Sequence, residues 1–139
     1  MTNQLVSGHY NTLIIGYNKC WKQDVNLGAS INQSFTSIPH YKLISMLKYK
    51  CKLEGINVVV REESYTSKAS VLDKDKIPCI GDKEVSFSGK RIKRGLYCST
   101  KGIINADVNG ALNIMRKEVG DDYFPADIGF VFNPCCISF

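Results

Sequence analysis

The sequence lacks several features that would assign the protein to a common class. It contains no apolar run near 18 residues, about the shortest that a membrane-spanning helix needs, so we expect no membrane partner. Its polar beginning has no signal-peptide core, which predicts a cytoplasmic protein. No two of its six cysteines form a Cys-x-x-Cys pair, and without a secretory signal we expect free thiols in a reducing compartment.

The positive charge of the chain is concentrated in one segment. The 139 residues suffice for one domain, and a hydrophobic content of 44% suits a globular core. Between Ser64 and Lys101 stand nine Lys and Arg against four Asp and Glu, which accounts for the whole net charge of +5. A local basic excess favours a polyanionic partner. The alternative interpretation is a solubilising surface loop.

Two β-branched segments flank a predicted helix in the first half of the chain. Thr12–Tyr17 and Ile56–Arg61 are short apolar runs typical of buried strands. The helix is predicted from Pro39 to Glu54, and Gly55 ends it. Its apolar positions recur at helical spacing: Ile44, Leu47 and Cys51. Strand, helix and strand with short joints predict a βαβ unit with parallel strands.

The segment from 64 to 104 is long and polar, and a structureless loop of this length is uncommon unless it is functional. Apolar pieces at Val85–Phe87 and Leu96–Tyr97 predict one or two small strands. The densest basic cluster lies between them and consists of Lys90, Arg91, Lys93 and Arg94, with Tyr97 beside it. Lys and Arg neutralise phosphates and an aromatic ring stacks a base, so these residues and Lys68 are candidate nucleic-acid contacts. Many solvated hairpins have a similar composition.

A second helix is predicted from Ala106 to Val119, with Asn105 as its N-cap. Its apolar positions form one stripe: Val108, Ala111, Leu112, Met115 and Val119. Asp107 stands in the first turn beside this stripe, and we expect the helix to carry its carboxylate inward, where it could bind a divalent cation. The alternative is an ordinary first-turn acid.

Three blocks of sequence, Glu63–Lys68, Lys90–Tyr97 and Asn105–Ile114, occur in an order that resembles a known family. They are similar to the C-terminal part of TnpB, the RNA-guided nuclease encoded beside transposases in insertion sequences. This family, also called OrfB, is related to the compact type V CRISPR effectors. The resemblance implies DNA as a partner, a guide RNA in the intact family and a nucleoid-associated location. It also implies that the chain is a truncated copy.

The resemblance implies an α/β fold, a partial RNase H-like (RuvC) nuclease domain, in which carboxylates hold Mg²⁺. Asp107 matches the family's last catalytic Asp. The family's middle Glu is missing after Thr12–Tyr17, and Glu63 at the end of the neighbouring strand could replace it, with Glu62 as the alternative. The first catalytic Asp would precede this chain. We therefore expect Asp107 and Glu63 to form a weak, incomplete magnesium site, and the chain to be inactive alone. Both glutamates could instead be surface acids.

Family members usually carry a four-cysteine zinc ribbon in the insertion. Here Ala69 stands where the first cysteine would be, and Cys79 and Cys98 are single and far apart. Two thiols do not make a structural zinc site, so we expect no zinc. The insertion would keep its ribbon-like hairpins without metal, held by Phe87, Leu96 and Tyr97.

The predicted organisation has five parts. They are a polar lead-in (1–11), an RNase H-like βαβ part (12–63), a basic insertion (64–104), a C-terminal helix (105–119) and a tail (120–139). Three functions remain open: a nuclease-family fragment, a nucleic-acid-binding module without catalysis, and a regulatory remnant that associates with a full-length relative.

Overall fold

The fold contains two small sheets and two helices within the part that the structure describes. This computed structural model describes residues 8, 10–18, 40–82, 85–122 and 132. The elements in chain order are β1 (Thr12–Tyr17), α1 (His40–Leu53), β2 (Asn57–Glu62), β3 (Lys90–Lys93), β4 (Leu96–Ser99), β5 (Gly102–Asn105) and α2 (Ala106–Val119). The chain divides into two units, Met1–Val60 and Arg61–Phe139. Neither described helix is long and apolar enough to cross a membrane.

The first unit contains the predicted βαβ arrangement. Strands β1 and β2 are hydrogen-bonded neighbours in a two-stranded sheet. The backbone N–H of Asn57 donates to the carbonyl oxygen of Asn11 at 2.9 Å, and these residues stand where the two strands begin. Strands that meet at their beginnings run in the same direction, so the predicted parallel pairing is confirmed. Strand β2 begins one residue later than predicted.

Helix α1 ends at a C-terminal motif that the sequence predicts. Gly55 has a positive φ of 71°, which glycine adopts at little cost. The N–H of Ile56 donates to the carbonyl of Cys51 at 2.8 Å, and that of Gly55 donates to Lys52 at 3.3 Å. This is the Schellman pattern of a helix C-terminus. The predicted end is therefore confirmed within a residue, whereas the predicted start at Pro39 lies outside the described residues.

The second unit is built on an antiparallel sheet with the strand order β3-β4-β5. Tyr97 of β4 and Ile104 of β5 form one cross-strand pair and are buried at 0% and 1% exposure. They pack in a core with residues of α2 and of the preceding loop, namely Val71, Leu72, Ala106 and Leu112. The described part of the insertion thus contributes four residues to the core.

Helix α2 has the predicted bounds and cap. The side chain of Asn105 accepts hydrogen bonds from the backbone N–H groups of Asp107 and Val108, at 2.9 and 3.0 Å. The predicted apolar stripe is only partly correct, since Leu112 is buried but Ala111 is exposed. The buried side of the helix is largely polar and consists of Ala106, Asn109, Leu112, Asn113 and Arg116.

The strands of the insertion differ in part from those predicted. Val85–Phe87 is not a strand, although Leu96–Tyr97 lies in β4 as predicted. Strands β3 and β5 were not predicted. Strand β3 is composed almost entirely of cations and has no apolar alternation that would indicate a strand. Nearly all of the tail beyond residue 122 and most of the lead-in lie outside the described residues.

Candidate nucleic-acid interface

The predicted basic cluster lies on β3 and on the turn that joins it to β4. Every residue of β3 is exposed, and Arg94 and Gly95 separate the two strands. Gly95 has a positive φ of 79°, as a tight hairpin turn requires. From Val85 to Ala106 the sequence contains five Lys and Arg and no Asp or Glu. The hairpin therefore presents concentrated positive charge to solvent.

A β-bulge in β3 places two lysines on the same face of the sheet. Lys90 is paired with Cys98, and Lys93 is paired with Leu96 because the register shifts between them. Ile103 of β5 is paired with Cys98. Directly paired residues share a face of the sheet. We call the resulting set the open face: Lys90, Lys93, Leu96, Cys98 and Ile103.

The open face is accessible to a ligand and has no negative charge of its own. Both lysines are exposed, Leu96 is 40% exposed and Ile103 is 53% exposed. The prediction that Leu96 holds the insertion together is therefore wrong, since this side chain points away from the core. Cations beside apolar side chains suit a nucleic acid, which offers phosphates together with sugars and bases.

The opposite face of the sheet packs into the core and carries Tyr97. This residue is 0% exposed, and its hydroxyl donates to the carbonyl oxygen of Lys68 at 2.7 Å. Burial raises the pKa of Tyr97 to about 12, and the carboxylates of Asp75 and Asp73 act in the same direction. The prediction that Tyr97 stacks a base is wrong, because its ring has no accessible surface. Tyr97 stabilises the fold instead, as a buried residue of the core.

Gly89 leaves the space that Tyr97 occupies. A Cβ atom at this position would lie 2.5 Å from the carbonyl oxygen of Cys98 and 2.6 Å from Cε1 of Tyr97. Contacts of this length between nonbonded atoms are strongly repulsive. The glycine directly before β3 is therefore required for the hairpin to lie against the tyrosine ring.

Arg91 differs from the other cations of the cluster because it contacts α2. Its guanidinium lies 3.6 Å from the carboxylate of Asp107, and the two side chains are 48% and 84% exposed. The expectation that α2 carries Asp107 inward is wrong, since the carboxylate faces solvent at the start of the helix. Arg91 is thus partly neutralised. Lys90, Lys93 and Arg94 have no carboxylate partner among the described residues.

Lys68 lies at the surface beside the ring of Tyr65. Its ammonium is 5.9 Å from the ring centroid of Tyr65, at the range of a cation–π contact. The Tyr65 ring is 6.2 Å from that of Phe87 between centroids. Phe87 thus packs within the insertion as predicted. The side chain of Lys68 is exposed and remains a candidate nucleic-acid contact.

Two asparagines on α2 hold the segment that precedes the hairpin. Asn109 accepts from the N–H of Val71 at 3.0 Å and donates to the carbonyl of Ala69 at 2.9 Å. Asn113 donates to the carbonyls of Thr66 and Ala69 at 2.9 and 2.7 Å. Both asparagines are 0% exposed. Sequence analysis missed them, because polar side chains on a helix usually indicate its solvent face.

Arg116 extends this buried polar network toward the end of α2. It donates to the side-chain oxygen of Asn113 at 2.8 Å, to the carbonyl of Asp75 at 3.0 Å and to the carboxylate of Asp121 at 2.5 Å. The hydrogen bond from Arg116 lowers the pKa of Asp121, against the opposing effect of burial. All three nitrogens of a guanidinium that is 6% exposed are therefore satisfied.

Two carboxylates join the loop before β3 to the segments that flank β3 and β4. The resemblance to TnpB implied zinc-binding cysteines in this region. Asp75 accepts from the N–H groups of Ser70 and Ser88 at 2.8 and 3.0 Å. Asp73 accepts from the hydroxyl of Ser70 and from the N–H and hydroxyl of Thr100. Burial alone would raise the pKa of Asp73, but these hydrogen bonds outweigh it and lower the pKa below 3.8. Polar cross-links thus stabilise the insertion.

Comparison with known proteins identifies the family of this chain. The family model described as Cas12f1-like, TNB domain matches residues 40–114, just over half of the sequence. The chain belongs to this family. It is thereby related to the TnpB/Cas12-type RNA-guided nucleases, in agreement with the resemblance seen in the sequence. No curated protein and no solved structure matches the chain.

In this Cas12f1-like chain, Glu62 is already engaged by α2. Its carboxylate accepts from the ammonium of Lys117 at 2.9 Å and from the N–H of Ser64. Burial would raise the pKa of Glu62, but the hydrogen bonds from Ser64 and Lys117 outweigh it and lower the pKa. Lys117 also donates to the carbonyls of Glu62 and Ser64, at 3.2 and 2.8 Å. The residues on both sides of Glu63 are therefore held by Lys117.

The two predicted magnesium ligands lie toward different ends of α2. Asp107 is in the first turn, whereas Lys117, which holds the neighbours of Glu63, comes ten residues later. Ten residues of helix span about 15 Å, and Mg²⁺ binds its ligands at about 2 Å. This placement does not support a magnesium ion shared by Asp107 and Glu63. Within the described residues, no group of three His, Cys, Asp or Glu could hold a metal ion.

The described cysteines are all free. Cys51 is a buried residue of α1, Cys79 is exposed, and Cys98 lies half-buried on the open face. The remaining cysteines, at positions 20, 135 and 136, are outside the described residues. The absence of zinc stays a prediction for this family member.

Proposed function

We propose that this chain binds nucleic acid through the open face and the adjoining Arg94, and that it does not cleave nucleic acid on its own. The observation that supports binding is that Lys90, Lys93 and Arg94 are exposed and have no carboxylate partner among the described residues. Membership of a TnpB/Cas12-type family supports nucleic-acid partners. DNA is the proposed target, with a guide RNA as the second candidate ligand.

The proposed binding is electrostatic in origin. Each phosphate that a lysine or arginine neutralises releases a condensed counterion, so affinity falls as salt rises. The apolar side chains of Leu96 and Ile103 lie beside the cations on the same face and would contact sugars or base edges. Phosphate and sugar contacts position a strand without reading its sequence, and two apolar side chains offer no hydrogen bonds to base edges, so we expect weak binding with little sequence preference.

The proposed lack of cleavage follows from the number and the positions of the candidate metal-binding carboxylates. A two-metal nuclease site needs several carboxylates around the same pair of ions. Asp107 is exposed beside Arg91, and Glu63 lies toward the other end of α2. The intact family's cleavage reaction therefore needs ligands beyond these two residues. Asp107 would act in this chain as a surface charge.

The experiment that tests this proposal is a fluorescence titration of labelled single- and double-stranded DNA and RNA at several salt concentrations. The Lys90→Ala/Lys93→Ala variant should lower the slope of log affinity against log salt by about 1.4 to 1.8, which corresponds to two lost phosphate contacts. The Lys74→Ala/Lys76→Ala variant is the matched control, because it removes two exposed lysines that lie near the C-terminal end of α2. Its slope should stay close to that of the parent chain.

Equal losses in the two variants would contradict a specific role for the open face, and salt-independent binding would contradict the electrostatic account. The same samples incubated with Mn²⁺ test the second half of the proposal. Cleavage that disappears in an Asp107→Ala variant would show that the chain assembles a metal site after all. Intact substrate in both samples is the expected result.

A further inference from the structure

Helix α1 has an exposed face that no described element of its own unit covers. Six exposed residues fall within about one third of the helix circumference, if successive residues are separated by about 100°. We call them the outer face of α1: Lys42, Leu43, Met46, Tyr49, Lys50 and Leu53. The buried residues Leu47 and Cys51 lie on the other side of the helix. The outer face is therefore available to a partner.

The outer face combines positive charge with large exposed side chains. The helix contains four lysines and no acidic residue, and none of these lysines has an ion-pair partner among the described residues. Tyr49 is 66% exposed, and Leu53, Met46 and Leu43 are 68%, 49% and 48% exposed. Several large hydrophobic side chains exposed on one side of a helix are typical of an interaction site.

We propose that the outer face of α1 is a second nucleic-acid contact, in which Lys42 and Lys50 neutralise phosphates and Tyr49 packs on a base or sugar. This inference rests on the proposed nucleic-acid binding but uses the other unit of the fold. Charge complementarity selects the occupant. A second copy of this helix would bring lysines against lysines, whereas a nucleic-acid strand offers phosphates and flat apolar bases.

The spacing of the two lysines fits a strand. Eight residues separate Lys42 from Lys50, which corresponds to about 12 Å along the helix. A nucleic-acid strand in a duplex places one phosphate about every 3.4 Å along its axis. The two ammonium groups could therefore contact phosphates about three or four nucleotides apart, with Tyr49 on the same face of the helix.

Helix α1 itself supplies the matched control for the test. Lys48 and Lys52 are also exposed but lie on the side of the helix away from the outer face. In the full chain, Lys42→Ala/Lys50→Ala should lower the salt slope of single-stranded DNA binding by about 1.4, which corresponds to two lost phosphate contacts on a single strand. Lys48→Ala/Lys52→Ala, with the same loss of charge, should change the slope by clearly less. Circular dichroism of each variant checks that α1 remains folded.

The aromatic contact is tested separately. Tyr49→Ala should weaken binding about fivefold, the lower end of the range for a base stacked on an aromatic side chain, whereas Tyr49→Phe should bind almost as well as the parent. Tyr41, which is 80% exposed outside the outer face, provides the control substitution Tyr41→Ala. Equal effects of Tyr49→Ala and Tyr41→Ala would overturn the role of Tyr49.

Failure of this inference is distinguishable from failure of the proposed function. If Lys90→Ala/Lys93→Ala flattens the salt slope while the two helix variants behave alike, the hairpin binds and the outer face does not. If no variant changes binding, the proposed function fails as well. Replacement of Leu43, Met46 and Leu53 by Ser that alters the oligomeric state without altering DNA affinity would overturn the inference by revealing a protein interface.

Discussion

The two faces of the β3-β4-β5 sheet have opposite environments although they are formed by the same short strands. On the core face, Tyr97 and Ile104 are buried beneath α2. On the open face, their sequence neighbours Leu96 and Ile103 are exposed beside lysines. Side chains of successive strand residues point to opposite faces. Stability and candidate function are thus carried by alternate residues, and substitutions on the two faces should have separable effects.

The largest expected effect is on the core face. Tyr97→Ala should lower the free energy of unfolding by about 3 to 5 kcal/mol, as other buried aromatic residues do when truncated. Urea unfolding followed by circular dichroism measures this loss. A small effect, below about 1 kcal/mol, would contradict the packing that distinguishes the two faces.

Tyr97→Phe separates the ring from its hydroxyl. It removes the hydrogen bond to the carbonyl of Lys68 while keeping the ring, and it should cost about 1 kcal/mol. Nucleic-acid affinity should be unchanged, because the ring is buried. Reduced nucleic-acid affinity at unchanged stability would instead indicate that Tyr97 contributes to binding.

The second expected effect concerns the polar network under the hairpin. Asn113→Ala removes hydrogen bonds to the carbonyls of Thr66 and Ala69 and leaves Arg116 with an unsatisfied donor. Since each buried unsatisfied group costs about 1 to 3 kcal/mol, we expect a loss of about 2 to 3 kcal/mol. Ala111→Ser, at an exposed position of the same helix, is the control and should be neutral in the same urea titration.

A third prediction concerns acid stability. The pKa of Asp73 is lowered in the folded chain, so its ionised form stabilises the fold above the ordinary value of 3.8. This contribution is lost as the pH falls through the lower, folded pKa. Asp73→Asn should therefore be less stable than the parent near pH 7, and the difference should shrink between about pH 5 and pH 2. Urea midpoints across this range that stay parallel would exclude the carboxylate cross-link.

The smallest expected effect is that of Asp107 on binding. Asp107→Asn removes the negative charge beside Arg91, and nucleic-acid affinity should rise by no more than a few-fold, since exposed pairs contribute about 0 to 1 kcal/mol. The measurement is the titration at low salt, where screening is weakest. A decrease in affinity would mean that Asp107 contributes to the interface, for example through a bound cation.

Several parts of the fold follow from local sequence signals. The β-branched runs of β1 and β2 predicted parallel strands, Gly55 predicted the end of α1, and Asn105 predicted the start of α2. Each of these signals determines the backbone structure within a few residues of its own position. The three blocks that resemble the TnpB family indicated the relationship that the family match supports.

Other parts could not be predicted, because they depend on partners far along the chain. Asn109 and Asn113 are buried only because backbone groups about forty residues away need hydrogen bonds. Strand β3 has no apolar alternation, and its bulge, which puts Lys90 and Lys93 on one face, is visible only in the register with β4. Tyr97 stands beside cations in the sequence, yet β-strand alternation turns it into the core.

The most direct test of the open face is photocrosslinking of the full chain to bromouridine-substituted DNA and RNA strands, followed by mass spectrometry of the crosslinked peptides. We predict crosslinks within residues 90–96 and at Ile103, and none at Asn109, Asn113 or Tyr97, which are buried on the other side of the sheet. Crosslinks that avoid the hairpin while nucleic acid is bound would contradict the assignment of the open face as the interface.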